Sequence, residues 1–345
     1  MKIRSVSVRG LFNEYDYELN LNPDLTFIHS PNGMGKSTLA HMVNSILRGD
    51  RSYLDDIPFS RLTITFFDGS SLVILKNNGS MVVQLQKNSI ESMASDEELE
   101  SLSDMIYLPP DRLVIRKKDG RLVNALESVA QELYDSIRSA KENNNLQRYE
   151  GERKEMPGSD LEFWCKDLKA KLDFIKDAGF EPEMPEGARF PPSRYDIIED
   201  RAKYEDLAYS ISEYVERNYQ FAESIIVYKD IVNNIFLNKS INITGSGKLV
   251  VSMNNGTALP LSKLSSGETQ ILLIFYQILF HTHSESVVII DEPEISLHVS
   301  WQQVLGDYFN DICRVRNVQI IVMTHSPQII HDKWDLAVEL VRKNA

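Results

Sequence analysis

Residues 30–38 read Ser-Pro-Asn-Gly-Met-Gly-Lys-Ser-Thr, and this stretch decides the fold. An apolar run, Leu25-Thr26-Phe27-Ile28, leads into it, and a helical pattern from Ser37 to about Leu47 leads out. Strand, glycine-bearing loop and helix in that order are the context of a phosphate-binding Walker A loop. Gly33 and Gly35 let the backbone turn N–H groups toward phosphate oxygens. The helix N-terminus adds a dipole that favours the same anion. In such a loop Lys36 contacts the β- and γ-phosphates and the Ser37 hydroxyl holds Mg²⁺. Asn32, Gly33, Met34, Gly35 and Thr38 complete the expected ATP-binding set. One departure stands at Ser30, where the consensus has its first glycine.

Three further stretches follow in a fixed order. Ser286-Val-Val-Ile-Ile-Asp291-Glu292-Pro293 is a continuous apolar run ending in two acids. It predicts a buried parallel strand that delivers carboxylates at its C-terminal edge. Asp291 then holds Mg²⁺ through water, and Glu292 is the group that polarises the attacking water. Alone, the run reads equally well as a core strand ending in a solvated acidic turn; the lysine loop favours the chemical reading. Leu264-Ser265-Ser266-Gly267-Glu268 precedes an apolar helix, Ile271 to Phe280. In isolation it is a serine-rich helix cap, and its small residues also suit an anion. Ile320-Ile-Val-Met-Thr-His325-Ser-Pro327 is another buried strand, ending in a histidine.

Together these motifs resemble those of ABC-type ATPases. Residues 264–268 resemble the signature motif of that family. The resemblance implies that Ser265, Ser266, Gly267 and Glu268 meet the γ-phosphate of ATP held by an opposite subunit. The nucleotide site would then be completed in a homodimer or higher homo-oligomer. His325 resembles the switch histidine that senses γ-phosphate. Asp291-Glu-Pro-Glu-Ile-Ser-Leu-His298, followed by Trp301-Gln302, is similar to the OLD-like ATPases of bacterial anti-phage defence, in a branch shared with SMC-like repair proteins. The resemblance covers roughly residues 1–112 and 237–335. It implies an ATPase that controls a separately encoded effector, a nuclease or toxin. The rival readings are an SMC-like DNA-processing clamp and an ATP-binding scaffold with little turnover. Few residues follow His325, so the Toprim nuclease of many OLD-family chains is not expected, and neither is a CxxC zinc hook.

The family pattern is broken in places. His298 stands where many ABC proteins carry the D-loop aspartate. No clear Q-loop glutamine is present; Pro109-Pro110-Asp111-Arg112 occupies its place, with Asp111 or Arg112 as the substitute. Phe12 is the candidate for an adenine-stacking aromatic, with core packing as the favoured role.

The predicted architecture is α/β: an ABC-ATPase head of the P-loop NTPase type, with an N-terminal antiparallel β meander. Residues 1–112 and 237–345 form its two halves, and a helical insertion spans 113–236. The meander is read from alternating apolar residues over 61–86, with turns at Asp68-Gly69 and Asn77-Asn78-Gly79. In the insertion, Leu122, Leu126, Val129, Leu133 and Ile137 share a helical face; Ser159 and Glu162 suit a capping box; 196–236 reads as one long helix or two.

The chain of 345 residues is 42% hydrophobic and 25% charged, an ordinary globular balance with material for a sizeable core. Its formal net charge of -13 does not advertise a nucleic-acid surface, although a local patch could bind nucleic acid within an acidic whole. Arg116, Lys117, Lys118 and Arg121 form the one compact basic cluster, read as a solvated loop in preference to a phosphate contact. Cys165 and Cys313 lack metal-ligand spacing and read as buried thiols in a reducing compartment. No apolar run approaches the roughly 18 residues of a membrane span, and Met1-Lys2-Ile3-Arg4 leads straight into a strand pattern. A cytoplasmic protein with no membrane partner is expected.

Overall fold

The computed structural model describes residues 1–77, 80–88, 90–116, 122–142, 146 and 161–341. Most of the basic cluster at 116–121, the turn at 78–79 and Ser159 lie outside the described residues. The chain forms two compact units. The first comprises Met1–Ala125 and the residues from Ser265 on; the second is Leu126–Leu264.

The first unit opens with β1 (Ile3–Leu11), β2 (Tyr15–Asn20), β3 (Leu25–His29), α1 (Lys36–Leu47) and α2 (Ser52–Asp56). It continues through β4 (Arg61–Phe66), β5 (Ser71–Asn77), β6 (Ser80–Lys87), β7 (Ile90–Met93), α3 (Asp96–Leu102) and β8 (Met105–Leu108). A short hairpin, β9 (Val114–Arg116) and β10 (Leu122–Asn124), ends this half, so Leu122 sits in a strand and the next helix starts at Ala125. The antiparallel sheet runs β2-β1-β4-β5-β6-β7. Its register is fixed by alternation: Leu62, Ile64 and Phe66 of β4 are fully buried, while Arg61 is exposed.

The second unit holds α4 (Ala125–Glu142, from Leu126 on), α5 (Leu161–Asp177), α6 (Arg194–Glu199) and α7 (Arg201–Ile235). The strands β11 (Lys239–Ile243), β12 (Leu249–Met253) and β13 (Ala258–Leu259) form its antiparallel sheet. The stretch 196–236 resolves into short α6 and long α7, separated at Asp200, whose side chain caps α7 by accepting the Lys203 N–H at 3.1 Å. At 1.5 Å per residue α7 is about 52 Å long. Asn233 ties it to β11, accepting the Ile241 N–H at 2.7 Å and donating to its carbonyl at 3.2 Å.

The first unit then closes with α8 (Ser266–His281), β14 (Val287–Asp291), α9 (Val299–Arg316), β15 (Gln319–Thr324), α10 (Pro327–Ile330) and β16 (Ala337–Glu339). The parallel sheet has the order β16-β3-β15-β14-β8. Every residue of β14 and β15 is buried, as expected of strands covered on both faces. Leu39, Met42, Val43 and Ile46 of α1 share one core with Val287, Ile289, Ile321 and Met323 and with the inner face of the antiparallel sheet. The opposite face of the parallel sheet receives α9, which packs on β3 and β15. This is the mixed α/β architecture with an N-terminal antiparallel meander that the sequence predicts. No helix among the described residues is long and apolar enough to cross a membrane.

Candidate functional site

Parallel register brings the carboxyl ends of four strands to one edge. His29 of β3 pairs with Thr324 of β15, Met323 with Asp291 of β14, and Ile290 with Leu108 of β8. The loops leaving these strands therefore converge, the arrangement in which open α/β sheets build sites.

Gly33 and Gly35 both adopt positive φ, 81° and 80°, which a side chain would strain. A β-carbon on Gly33 would meet nothing within 4 Å, so conformation rather than space demands glycine there. Tyr17 secures the loop by donating its hydroxyl to the Met34 carbonyl at 2.8 Å. Asn32 and Ser37 are exposed; the Thr38 hydroxyl bonds Tyr53.

Lys36 is buried beneath this loop. Its Nζ lies 2.9 Å from the Ser30 carbonyl, 3.0 Å from Ser30 Oγ and 3.3 Å from the Pro31 carbonyl. Ser30, the departure from consensus, thus offers a hydroxyl that a glycine lacks. Burial pulls the Lys36 ammonium below its usual range, against the pull of Glu292, Asp291 and Glu294. Nζ also stands 3.0 Å from His325 Nδ1, and His325 Nε2 stands 2.8 Å from Glu292 Oε1. An ammonium only donates, so the Lys36 contact calls for the proton on Nε2, donating to Glu292, whereas the Ser30 carbonyl, 3.1 Å from Nδ1, only accepts and calls for a proton on Nδ1. A cleft of about 320 Å³ opens beside this group, lined by His29, Ser30, Pro31, Asn32, His325 and Trp334 among others.

Asp291 has no exposed surface. Its Oδ2 accepts the Tyr107 hydroxyl at 3.1 Å, whereas Oδ1 is buried with no hydrogen-bond partner. Burial raises its pKa; hydrogen bonds from Ser37 and Tyr107 oppose the rise. A buried, half-satisfied carboxylate next to a serine hydroxyl is a donor set of hard oxygens and fits Mg²⁺.

Glu292 has φ 46°, a left-handed conformation unusual for its type, and donates its N–H to the Met323 carbonyl at 2.9 Å. Three residues beyond the strand, Glu294 Oε1 accepts the Thr324 hydroxyl at 2.8 Å and the N–H groups of His325 and Ser326 at 2.7 and 3.2 Å. Ser326 donates its hydroxyl to Gln302 Oε1 at 2.6 Å. Sequence reading singled out neither Glu294 nor Tyr107 for the site. Glu294 follows the Asp-Glu pair by two residues, a spacing that was open to notice; nothing marks Tyr107.

Ser265 and Glu268 form a capping box at the start of α8, with Glu268 Oε2 accepting the Ser265 N–H at 2.8 Å. Ser265 and Ser266 are exposed, and Gly267 is buried against the Ser296 backbone. These residues sit on α8, while Lys36, Asp291, Glu292 and His325 converge at the sheet edge. His298 caps α9, its ring nitrogen Nδ1 accepting the Ser300 N–H at 3.3 Å. Of the two Q-loop substitutes, Asp111 is exposed and Arg112 is buried. Phe12 is 39% exposed at φ 55° and lies against Gly35, so it is no core residue.

Residues 74–330 match the model of the AAA ATPase domain family. A stretch of 98 residues is 38% identical to the Retron Ec83 probable ATPase of Escherichia coli, taking in 24% of this chain and 17% of that protein. The fold is similar to that of an Smc head bound to the C-terminal winged-helix domain of ScpA: TM-score 0.51, 13% identity, 99% of this chain and 95% of the other. An Smc head with an extended coiled coil from Pyrococcus furiosus gives TM-score 0.48 at 12% identity, over 99% and 94% of the two chains.

Proposed function

Because the chain belongs to the AAA ATPase domain family, we propose that it binds ATP with Mg²⁺ and hydrolyses it to ADP and phosphate. The observation that carries this reading is the convergence of Lys36, Asp291, Glu292 and His325 at one sheet edge. Lys36 would leave its loop carbonyls for the β- and γ-phosphates, and the N–H groups of residues 32–38 would face the phosphate oxygens. Ser37 and Asp291 would hold Mg²⁺, which when bound neutralises charge on the phosphate oxygens. Glu292 would accept the proton of the attacking water, and His325 would orient it and sense the γ-phosphate. The exposed face of Phe12 beside Gly35 suits the adenine ring.

The same reading makes the active form a dimer or higher homo-oligomer. Ser265, Ser266, Gly267 and Glu268 of one copy would close on the nucleotide of another. In this reading the head would comprise residues 1–112 and 237–345, and closure would change the shape presented by the helical insertion, 113–236. We place the ATPase in the cytoplasm, controlling a separately encoded nuclease or toxin in anti-phage defence. The likeness to the retron ATPase supports this placement.

The test is phosphate release by wild type, Lys36→Ala and Glu292→Gln. Wild-type turnover that both substitutions abolish is expected; equal release by wild type and Glu292→Gln would end the ATPase reading. Sedimentation of Glu292→Gln with and without ATP reads dimerisation. Recovery of tagged Glu292→Gln with ATP from cells carrying the native gene neighbourhood reads the effector. A stoichiometric protein is expected; DNA without such a partner would point to a DNA clamp.

A further inference from the structure

Arg112 lies just beyond β8, in the place where the sequence lacks a Q-loop glutamine, and is 8% exposed. Its guanidinium bridges three stretches of chain: the turn after β8, the end of β14 and α8. Nη1 donates to the Pro109 carbonyl at 2.8 Å and the Asp291 carbonyl at 3.0 Å. Nη2 donates to the Glu292 carbonyl at 3.1 Å. Nε donates to Gln270 Oε1. Gln270 is itself 1% exposed and stands in the second turn of α8, the helix that opens with Ser266 and Gly267.

The carbonyls of Asp291 and Glu292 belong to the two peptide planes that flank the Glu292 Cα. With Arg112 holding both, and Met323 accepting the Glu292 N–H at 2.9 Å, both backbone dihedrals of Glu292 are fixed from outside its own strand. A glutamate at φ 46° persists only when its surroundings over-determine it. The planar fork of arginine serves this task, since one rigid group reaches acceptors in several directions; a lysine ammonium is a point donor on a flexible stem.

We propose that Arg112 is the positioning residue of the site: it sets the orientation of Glu292 and, through Gln270, couples that orientation to the signature helix. The proposal rests on the ATPase reading above. A displacement at the N-terminus of α8 moves Gln270, hence the guanidinium, hence the planes on either side of Glu292. Arg112 touches neither nucleotide nor water in this scheme. It does the coupling work of the missing glutamine by a different route, gripping the backbone of the catalytic acid.

The experiment compares full-length wild type with Arg112→Ala, Arg112→Lys, Gln270→Leu, the Arg112→Ala/Gln270→Leu pair and Glu292→Gln. It measures kcat, KM, affinity for a fluorescent ATP analogue with Mg²⁺, and thermal melting. A misplaced catalytic group costs on the order of 100-fold, so Arg112→Ala is expected to lose about that much kcat with nucleotide affinity within about threefold. Arg112→Lys should fail to rescue, because it keeps charge but not the fork. Gln270→Leu should lose about tenfold in kcat, and the pair should be no worse than Arg112→Ala alone, as members of one chain of contacts are not additive. A purely structural Arg112 would lower melting temperature and affinity together and leave kcat per bound nucleotide unchanged; that result overturns the proposal. If Arg112→Ala does not fold, wild-type kcat in both Arg112→Lys and Gln270→Leu overturns it equally. A wild type that hydrolyses no ATP overturns the ATPase reading and this one with it. An active wild type with Glu292→Gln dead and the Arg112 series unimpaired overturns this one alone.

Discussion

Glu294 Oε1 accepts the backbone N–H of His325 at 2.7 Å. The same oxygen accepts from Thr324 and Ser326, so one carboxylate fastens the histidine loop to the turn after the acidic strand. Glu294→Ala leaves the Thr324 hydroxyl and the His325 N–H without this acceptor, while the Ser326 N–H keeps Thr324 Oγ1 at 2.9 Å. A lost acceptor of this kind costs about 1–2 kcal/mol, and the loop that presents His325 is freed. The expected outcome is a lower melting temperature with turnover reduced by about tenfold. Glu294→Gln keeps an oxygen in place and should sit between wild type and alanine in both. Wild-type turnover in Glu294→Ala would remove this loop from the catalytic argument.

The phosphate loop, the acidic strand and the histidine strand were legible because their chemistry is local. A glycine at positive φ, a lysine and a helix start fall within residues 33–37, and continuous apolar runs announce buried strands. The clamp of Arg112 on Gln270 and on the Asp291 and Glu292 carbonyls was not legible. It joins polar residues some 160 to 180 positions apart, and no period encodes such a pairing. The sequence offered Asp111 or Arg112 in that place; the structure buries the arginine and leaves the aspartate exposed. Phe12 misled for another reason: an aromatic after an alternating strand reads as core, but the tight turn at Phe12-Asn13 turns it outward, with positive φ at both residues.

Gly267 is the residue of the 265–268 stretch with the least freedom. A β-carbon there would overlap the Ser296 carbonyl oxygen, a backbone atom that cannot swing aside. Gly267→Ala must therefore push the start of α8 away from the turn after the acidic strand. Overpacking of this kind costs roughly 1–3 kcal/mol. Denaturant unfolding should show that loss in the nucleotide-free protein, before any question of dimer contact arises. Unchanged stability would mean that the two backbones separate freely.

Both cysteines are fully buried, and burial raises their thiols, Cys165 to about 11 and Cys313 to about 12. Cys313 Sγ also donates to the Asp24 carbonyl at 3.4 Å. A raised pKa means less thiolate at a given pH: at pH 8, roughly one part in a thousand for the first and one in ten thousand for the second. A thiol reagent at pH 8 should modify neither in the native protein over minutes, and both at once in denaturant. Rapid native modification of either would contradict its burial.

Asp291 supplies the sharpest test of site against stability. Its carboxylate is buried, one oxygen has no partner, and its pKa is raised, chiefly by burial. A carboxyl raised in the folded state holds its proton more tightly there than in the unfolded chain. Its ionisation therefore costs stability once pH passes the unfolded value, and the cost is complete above the folded value. Asp291→Asn removes that cost while keeping the shape. The nucleotide-free variant should melt at a higher temperature than wild type at neutral pH. The gap should narrow as pH falls from the raised folded value to the unfolded one and Asp291 protonates, and be gone below both. Mg²⁺-dependent turnover should vanish at the same time, because the amide cannot replace an anionic ligand. Tyr107→Phe makes the opposite check. Losing the hydroxyl on Oδ2 leaves the carboxylate in place but less well held, and the Mg²⁺ concentration for half-maximal turnover should rise about tenfold. If Asp291→Asn melted lower than wild type at neutral pH, the buried charge would be a source of stability and the argument that Asp291 is a cation ligand would fail.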